Sequence, residues 1–398
     1  MSSVKSKSSS ITFVSEQSSS TPKNTYAGQV FDGLFHGSGT FYYNDFERYE
    51  GDFVLGKREG RGKFYYADGS IYDGEWLNDK INGHGVAYFS SGNFYDGNWE
   101  NGRINGYGTL KYANGDVYEG DWLDGAMHGH GTYKYSEGDI YVGQWRQDKR
   151  HGKGTMTYVD KLGKPCEKYE GDWVDNIMNG KGIYKYSDGS YYDGDWCNGK
   201  MHGTGKYVYA DGNKYEGEWV EDTKQGFGIL IYSNGEKYEG FWQNDKCHGS
   251  GILFYSTNDK YNGEWVDGKK NGPGEIIYVN GDRFRGNWED DHANGHGIYE
   301  YSNGNRYEVL LVVVGSFSRV VICVGDWVMD KRHGTGTFFC KQDSSTYRGG
   351  FVNGKKEGYG TLTLGCGHIV HGVWHYGSLV SIDNFEISPT SPWNNPDL

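Results

Sequence analysis

From Tyr26 onward a tyrosine-led pattern returns every 23 residues, and that period decides what the chain can fold into. A fixed period in the range of about 20–50 residues marks a repeat array, whose units are too small to bury an apolar face alone and do so against their neighbours. The stretch Tyr118–Ile140, YEGDWLDGAMHGHGTYKYSEGDI, shows the pattern whole. Counted from the leading tyrosine as position 1, glycine recurs at 3, 12 and 14, and tryptophan or phenylalanine at 5. An aliphatic or aromatic residue fills 16, usually tyrosine fills 18, and Asp-Gly or Asn-Gly is common at 20–21.

Each repeat reads as two short strands. Positions 1, 3 and 5 alternate with acidic or polar residues at 2 and 4, and 12, 14, 16 and 18 alternate likewise. The turn between repeats fixes the register. A two-residue turn at 20–21 would set position 16 beside the acidic position 2 of the next copy, on the wrong face. A three-residue turn, with the glycine at 21 left-handed as a G1 bulge, restores the faces. It predicts Gly131 opposite Gly143, Tyr133 opposite Tyr141, Gly129 opposite Trp145, and Gly205 opposite Gly217. Facing glycines leave a slot in which aromatic rings lie flat on backbone, which would justify so much glycine. On the other face the register predicts charge pairs such as Lys63–Asp73 and Lys206–Glu216. The predicted fold class is therefore all-β, an elongated single-layer antiparallel meander of tandem 23-residue hairpins.

The 398 residues divide into a Ser/Thr-rich arm at 1–25, expected to be disordered, an array at 26–376, and a loose tail at 377–398. The sixth copy has 28 residues, lengthened at Asp160–Lys168. The first copy is degenerate, with Val30 in the tryptophan slot and Phe46 in the turn-glycine slot. The thirteenth is interrupted by Val309–Val324, an apolar run too short to span a bilayer. Removing it restores Tyr307-Glu308-Gly325-Asp326-Trp327, so it reads as a late insertion or a gene-model error. Twelve of the 13 tryptophans fall on position 5, which accounts for the aromatic excess.

A net charge of −13 speaks against nucleic-acid binding, which needs a basic surface. The six cysteines show no paired spacing and, with no signal peptide evident, read as reduced cytosolic thiols. His128, His151, His202, His248 and His333 precede paired glycines and imitate a catalytic or metal motif. Other copies place Glu59, Asn82, Asn105, Asn179, Gln225 or Glu357 in that slot, so it asks for a hydrogen-bonding turn residue. The glycines lack a phosphate-loop context, and the acids at 2 and 4 read as solvated strand faces. Cys366-Gly367-His368 would make half a zinc site across a two-fold axis, but a lone pair reads as turn substitution. No catalytic, cofactor-binding or metal residues are assigned.

The repeat, YxGxWxxGxxHGxGxxxYxxGxxY, resembles the MORN (membrane occupation and recognition nexus) family, over fourteen copies from Tyr26 to about Tyr376. Such arrays occur in junctional membrane proteins, phosphatidylinositol-phosphate kinases, SET-domain methyltransferases, radial spoke heads and protist cytoskeletal scaffolds. The resemblance to the MORN-only members implies a non-enzymatic cytoplasmic scaffold of a cytoskeletal, basal-body, ciliary or flagellar assembly, with protein partners. A peripheral, membrane-associated adaptor binding phosphoinositide along the aromatic face is the alternative. From the eighth copy the outward slots turn apolar, at Val208, Ile229, Ile231, Ile252, Phe254, Ile277 and Ile298, with Phe241 beside them. These are expected to form one continuous patch through which the chain pairs as a homodimer or higher oligomer, or docks its main partner.

Overall fold

Two turns of opposite character build the architecture. In the fifth copy, Val117–Leu123 and Ala126–Lys134 are antiparallel strands. They are joined by Asp124 and Gly125, both at positive φ (50° and 86°). Two left-handed residues in succession make the type I′ turn whose twist matches that of the strands. The link to the next copy is the three-residue turn read from the sequence. Gly138 is left-handed (φ 107°), and its N–H donates to the Tyr135 carbonyl at 2.9 Å.

The computed structural model describes residues 12–14, 24–308 and 327–391, and among these every element is a β-strand. The chain divides into two compact units, Met1–Lys200 and Met201–Leu398. In the first, consecutive strands pair antiparallel from Thr25–Phe31 to Tyr191–Cys197. In the second, the same meander runs from Lys200–Val208 to Ser378–Glu386. The register is the predicted one: Gly131 faces Gly143, Tyr133 faces Tyr141, Gly129 faces Trp145, and Gly205 faces Gly217.

The core of each unit is an aromatic zigzag laid over glycine. Tyr118 is fully buried, and its ring covers the facing pair Gly120 and Gly131, where a Cβ on either would collide with it. Its hydroxyl donates to the Asp121 carbonyl at 2.9 Å. Trp122 meets the ring edge-on at 5.0 Å, and Trp145 of the next copy meets it at 5.4 Å. The motif repeats along both units, as at Tyr72–Trp99 and Tyr238–Trp265. Each such pair contributes about 0.5–1.5 kcal/mol beyond area burial.

The acid at position 4 does not simply face solvent, as the sequence pattern predicts it should, but bonds to backbone. Between Gly120/Gly131 and Trp122/Met127 the register shifts, forming a bulge at left-handed Gly129. The Asp121 carboxylate accepts the amide this bulge frees, from His130, at 2.8 Å. Gln144, Asp172 and Glu218 do the same in their own copies. The slot thus wants an acceptor that reaches the bulge, not charge as such.

Both ends depart from expectation. Of the amino-terminal arm, Thr12–Val14 form a strand against Gly28–Val30, because the outer edge of Thr25–Phe31 offers unpaired backbone groups. At the other end Ser378–Glu386 is a strand, not a loose tail. Tyr376 and Gly377 are both left-handed (φ 49° and 94°), so the fifteenth opening closes its hairpin through the same turn as the rest. The extra residues of the sixth copy lengthen the strands to Lys149–Val159 and Pro165–Val174 instead of making a long loop. The insertion Val309–Val324 lies outside the described residues. Its flanks keep repeat positions: Tyr307 pairs with Tyr299 and Phe338, and Trp327 with Gly295.

Candidate interaction surfaces

Because alternate side chains face opposite ways, each unit presents an aromatic face and an outer face. On the aromatic face the position-10 side chain lies beside the next tryptophan. Arg58 sits 4.3 Å over Trp76 and Arg150 4.5 Å over Trp173. In the second unit Lys224 lies 4.9 Å over Trp242 and Lys270 4.5 Å over Trp288. Their ammonium groups donate to the hydroxyls of Tyr209 and Tyr255, at 3.3 and 3.2 Å. Burial lowers both lysine pKa values, and that of Lys356 as well. Between the two lysines lies Cys247, buried, its thiol pushed up to about 12 by desolvation and so a poor nucleophile. The sequence reading missed this cationic column. Its signal was present, since Arg58, Arg150, Lys224, Lys270, Arg332 and Lys356 all occupy position 10.

One copy leaves the aromatic face open. Position 16 carries Phe64, Leu110, Tyr133, Met156 or Tyr184 in neighbouring copies of the first unit, but alanine at 87. A cavity of about 270 Å³ results, lined by Tyr66, Tyr72, Ile81, Ala87, Phe89 and Trp99.

The histidine slot behaves as a turn-bonding position. Glu59 accepts the Asn78 amide at 3.3 Å, Gln225 donates to Asn244 at 2.8 Å, and Glu357 accepts the Tyr376 amide at 2.9 Å, each in the following copy's turn. His151 stands 3.7 Å from Asp175 of the following copy. His368 turns away from Cys366 chemistry, its Nδ1 accepting the Ser388 amide at 2.9 Å. Among the described residues no group of three His, Cys, Asp or Glu is placed to hold a metal ion. Thr361, His371 and Glu386 form a string with 3.1 Å links on the outer face. They stand on paired strands whose amides are committed to the ladder, so the string is a cross-strand polar contact.

The outer face carries the predicted Lys63–Asp73 pair, at 3.7 Å, and places Lys206 opposite Glu216. It corrects the continuous apolar patch. Val208, Ile231, Phe254 and Ile277 stand on alternate strands, with Lys214, Lys237, Lys260 and Arg283 between them. Ile229 and Ile252 flank Glu239 in the same manner, and Ile298 faces Arg285 and Glu308. A 23-residue repeat returns a given slot only every second strand, and the intervening strand is charged there. Lys237 lies 4.4 Å over the Phe254 ring, shielding part of it. The open apolar contact is Phe241 against Phe227, with ring centroids 5.8 Å apart and exposures of 51% and 43%.

Solved structures with some likeness include the TCP10 domain of Danio rerio CPAP in complex with a STIL peptide. It is 13% identical, with 56% of this chain and 94% of that one covered and a TM-score of 0.32. The SAS-4 (dCPAP) TCP domain of Drosophila melanogaster, in complex with a proline-rich motif of Ana2, is 13% identical, with 44% and 87% covered and a TM-score of 0.23. Both likenesses fall below the level from which a shared fold or function follows. No curated protein matches the chain. The MORN repeat, an interaction module and not a catalytic one, matches fourteen times between residues 26 and 365, from 26–48 through 347–365. With that repeat matched over most of its length, the chain belongs to the MORN-repeat family.

Proposed function

We propose that the protein is a non-enzymatic cytoplasmic scaffold, which self-associates and holds protein partners at repeat spacing in a cytoskeletal, basal-body or ciliary assembly. The observation that carries this reading is how the polar groups of each copy are spent. In most copies indole, phenol, turn carboxylate and bulge acceptor bond within the copy or to its neighbour, as Trp145 bonds Gly131 at 3.2 Å and Met127 bonds Asp148 at 2.8 Å; the indoles of Trp288 and Trp327 are exceptions. What is left for other molecules is surface, recurring every two strands, about 9.6 Å apart. Self-association is assigned to the outer face of the second unit, at the exposed Phe227–Phe241 contact. Localisation of the tagged protein with detergent extraction, beside light scattering of the parent and of Phe227→Lys/Phe241→Glu, tests both parts. Retention with the extracted cytoskeleton and a lower mass for the double variant are expected. Complete extraction, or a parent that is monomeric throughout, overturns the reading.

A second reading, a peripheral adaptor for phosphoinositides, is supported by the cations at Lys224, Lys270 and Lys356 on the aromatic face. Flotation with vesicles containing phosphoinositide, but not with neutral ones, would favour it.

A further inference from the structure

In three copies of the first unit an aromatic ring at position 16 covers the next tryptophan, and in two others Leu110 or Met156 fills the slot. Phe64 stands 6.1 Å from Trp76, Tyr133 5.9 Å from Trp145, and Tyr184 6.1 Å from Trp196. Ala87 has no ring to lay over Trp99, and although both residues are largely buried a pocket stands beside them. Tyr72 keeps its edge-on contact with Trp99 at 5.4 Å, and the vacancy remains as the 270 Å³ cavity. An apolar cavity of about 150 Å³ is enough to hold benzene, so this one is large enough for an indole. Its rim is polar on one side. Asp68 lines it, with a carboxylate that accepts hydrogen bonds from Ser70 and Ser90 at 2.9–3.0 Å and so is held in place. A large ring with one N–H donor suits such a socket better than a purely aliphatic side chain.

The chain has one tryptophan that the repeat does not use. Twelve occupy position 5, and the thirteenth is Trp393, in the segment Ser388-Pro-Thr-Ser-Pro-Trp-Asn-Asn-Pro. Three of the chain's six prolines fall within those nine residues. Proline-rich segments hold an extended conformation at low entropic cost, and they dock on aromatic-lined grooves for that reason. We propose that the tail of a second copy, residues 388–398, seats Trp393 in the socket at Ala87. This joins the carboxy-terminal end of one copy to the amino-terminal unit of the next. Such a contact is heterologous, joining one surface to a different one, so it links copies head to tail. The proposal deepens the self-association reading and rests on it, but not on the outer face.

The test uses a labelled peptide of residues 388–398 and the full chain carrying Trp393→Ala, so that its own tail does not compete. Fluorescence anisotropy is expected to show saturable binding with a Kd on the order of 10–100 µM. Binding should weaken at least tenfold with Ala87→Leu, or with alanine for tryptophan in the peptide. Leucine is the residue that Leu110 and Leu230 place in the same slot, so Ala87→Leu should fold and melt at or above the parent temperature. Absence of binding, or binding unaffected by a folded Ala87→Leu, overturns the proposal. Light scattering separates it from the broader reading. A parent that associates no differently from Trp393→Ala removes the tail and leaves self-association standing, whereas a parent monomeric at every concentration removes self-association. Peptide binding that the intact parent blocks at all dilutions, with no change in mass, places the tail in its own copy and overturns the second-copy assignment.

Discussion

Trp122 donates its indole N–H to the carbonyl of Gly108, 3.2 Å away in the preceding copy. The Gly108 carbonyl belongs to the same glycine whose Cα lies under the Tyr95 ring. One side chain therefore fills the core of its own copy and satisfies the backbone of its neighbour. Trp122→Phe should keep most of the packing and lose the bond, costing about 1 kcal/mol, whereas Trp122→Ala should cost about 3–5 kcal/mol. Urea unfolding followed by circular dichroism gives both values.

Two glycines only six residues apart should respond differently to alanine. At Gly131 a methyl group would run into the Tyr118 ring, which is pinned by its own hydroxyl bond. At Gly125 nothing stands within 4 Å, and the cost is only that of a left-handed alanine. Gly125→Ala should cost about 1–2 kcal/mol, and Gly131→Ala more than about 3 kcal/mol, since overpacking here has no flexible neighbour to yield. Gly125→Asn should be nearly neutral. Denaturant midpoints rank the three.

The register of the sheet is legible in the sequence because it depends on parity. The glycines at 3, 12 and 14 and the tyrosine at 1 must share a face, and only a three-residue link between copies keeps them there. The role of Asp121 could not be read that way. An acid that accepts one bulge amide has the same spelling as an acid that faces water, and the bulge comes from φ at Gly129, which periodicity does not report. The apolar patch failed for a related reason. Slots 15 and 17 are apolar down one column, while Lys214 and Lys237 on the intervening strands occupy another slot of the repeat. Ser378–Glu386 was missed because the repeat's consensus ends at Tyr376, although Tyr376-Gly377 occupies the turn slots.

Alkaline pH should unfold the protein through its tyrosines. Burial raises the pKa of Tyr118, Tyr141 and Tyr261, and pushes Tyr209 and Tyr255 up to about 12. An unfolded tyrosine ionises near 10, so above that pH the unfolded chain binds fewer protons than the folded one. Stability is therefore present in full below about pH 10 and is lost as the pH climbs toward the folded values. The lysines act in the opposite sense: Lys224 and Lys270 have lowered values, so stability rises slightly as the pH approaches 10.5. Tyrosines outnumber these lysines, so melting temperatures should pass through a shallow maximum and then fall steeply. Tyrosinate absorbance should appear together with the loss of β-structure.

Replacing Lys224 and Lys270 with methionine keeps a flexible chain on the tryptophan face and removes a half-buried charge at each. The double variant should be at least as stable as the parent at neutral pH, by about 0–1 kcal/mol each. The alkaline rise should shrink in it to the part that Lys356 supplies. If phosphoinositide is a ligand, the same variant should lose flotation. Thermal melts at pH 7 and 10 and a vesicle assay make the comparison.

Ser378–Glu386 is exposed along its whole length and, among the described residues, pairs only with Ile369–His375. The bonds of an antiparallel ladder that stands at an edge open one rung at a time when the strand is lifted away. A tether attached beyond residue 386 would thus peel the array strand by strand at modest, nearly constant force, instead of shearing it at a high one. Under load the protein would lengthen gradually and zip back when released, giving an assembly that contains it a compliant joint where a rigid strut would fracture.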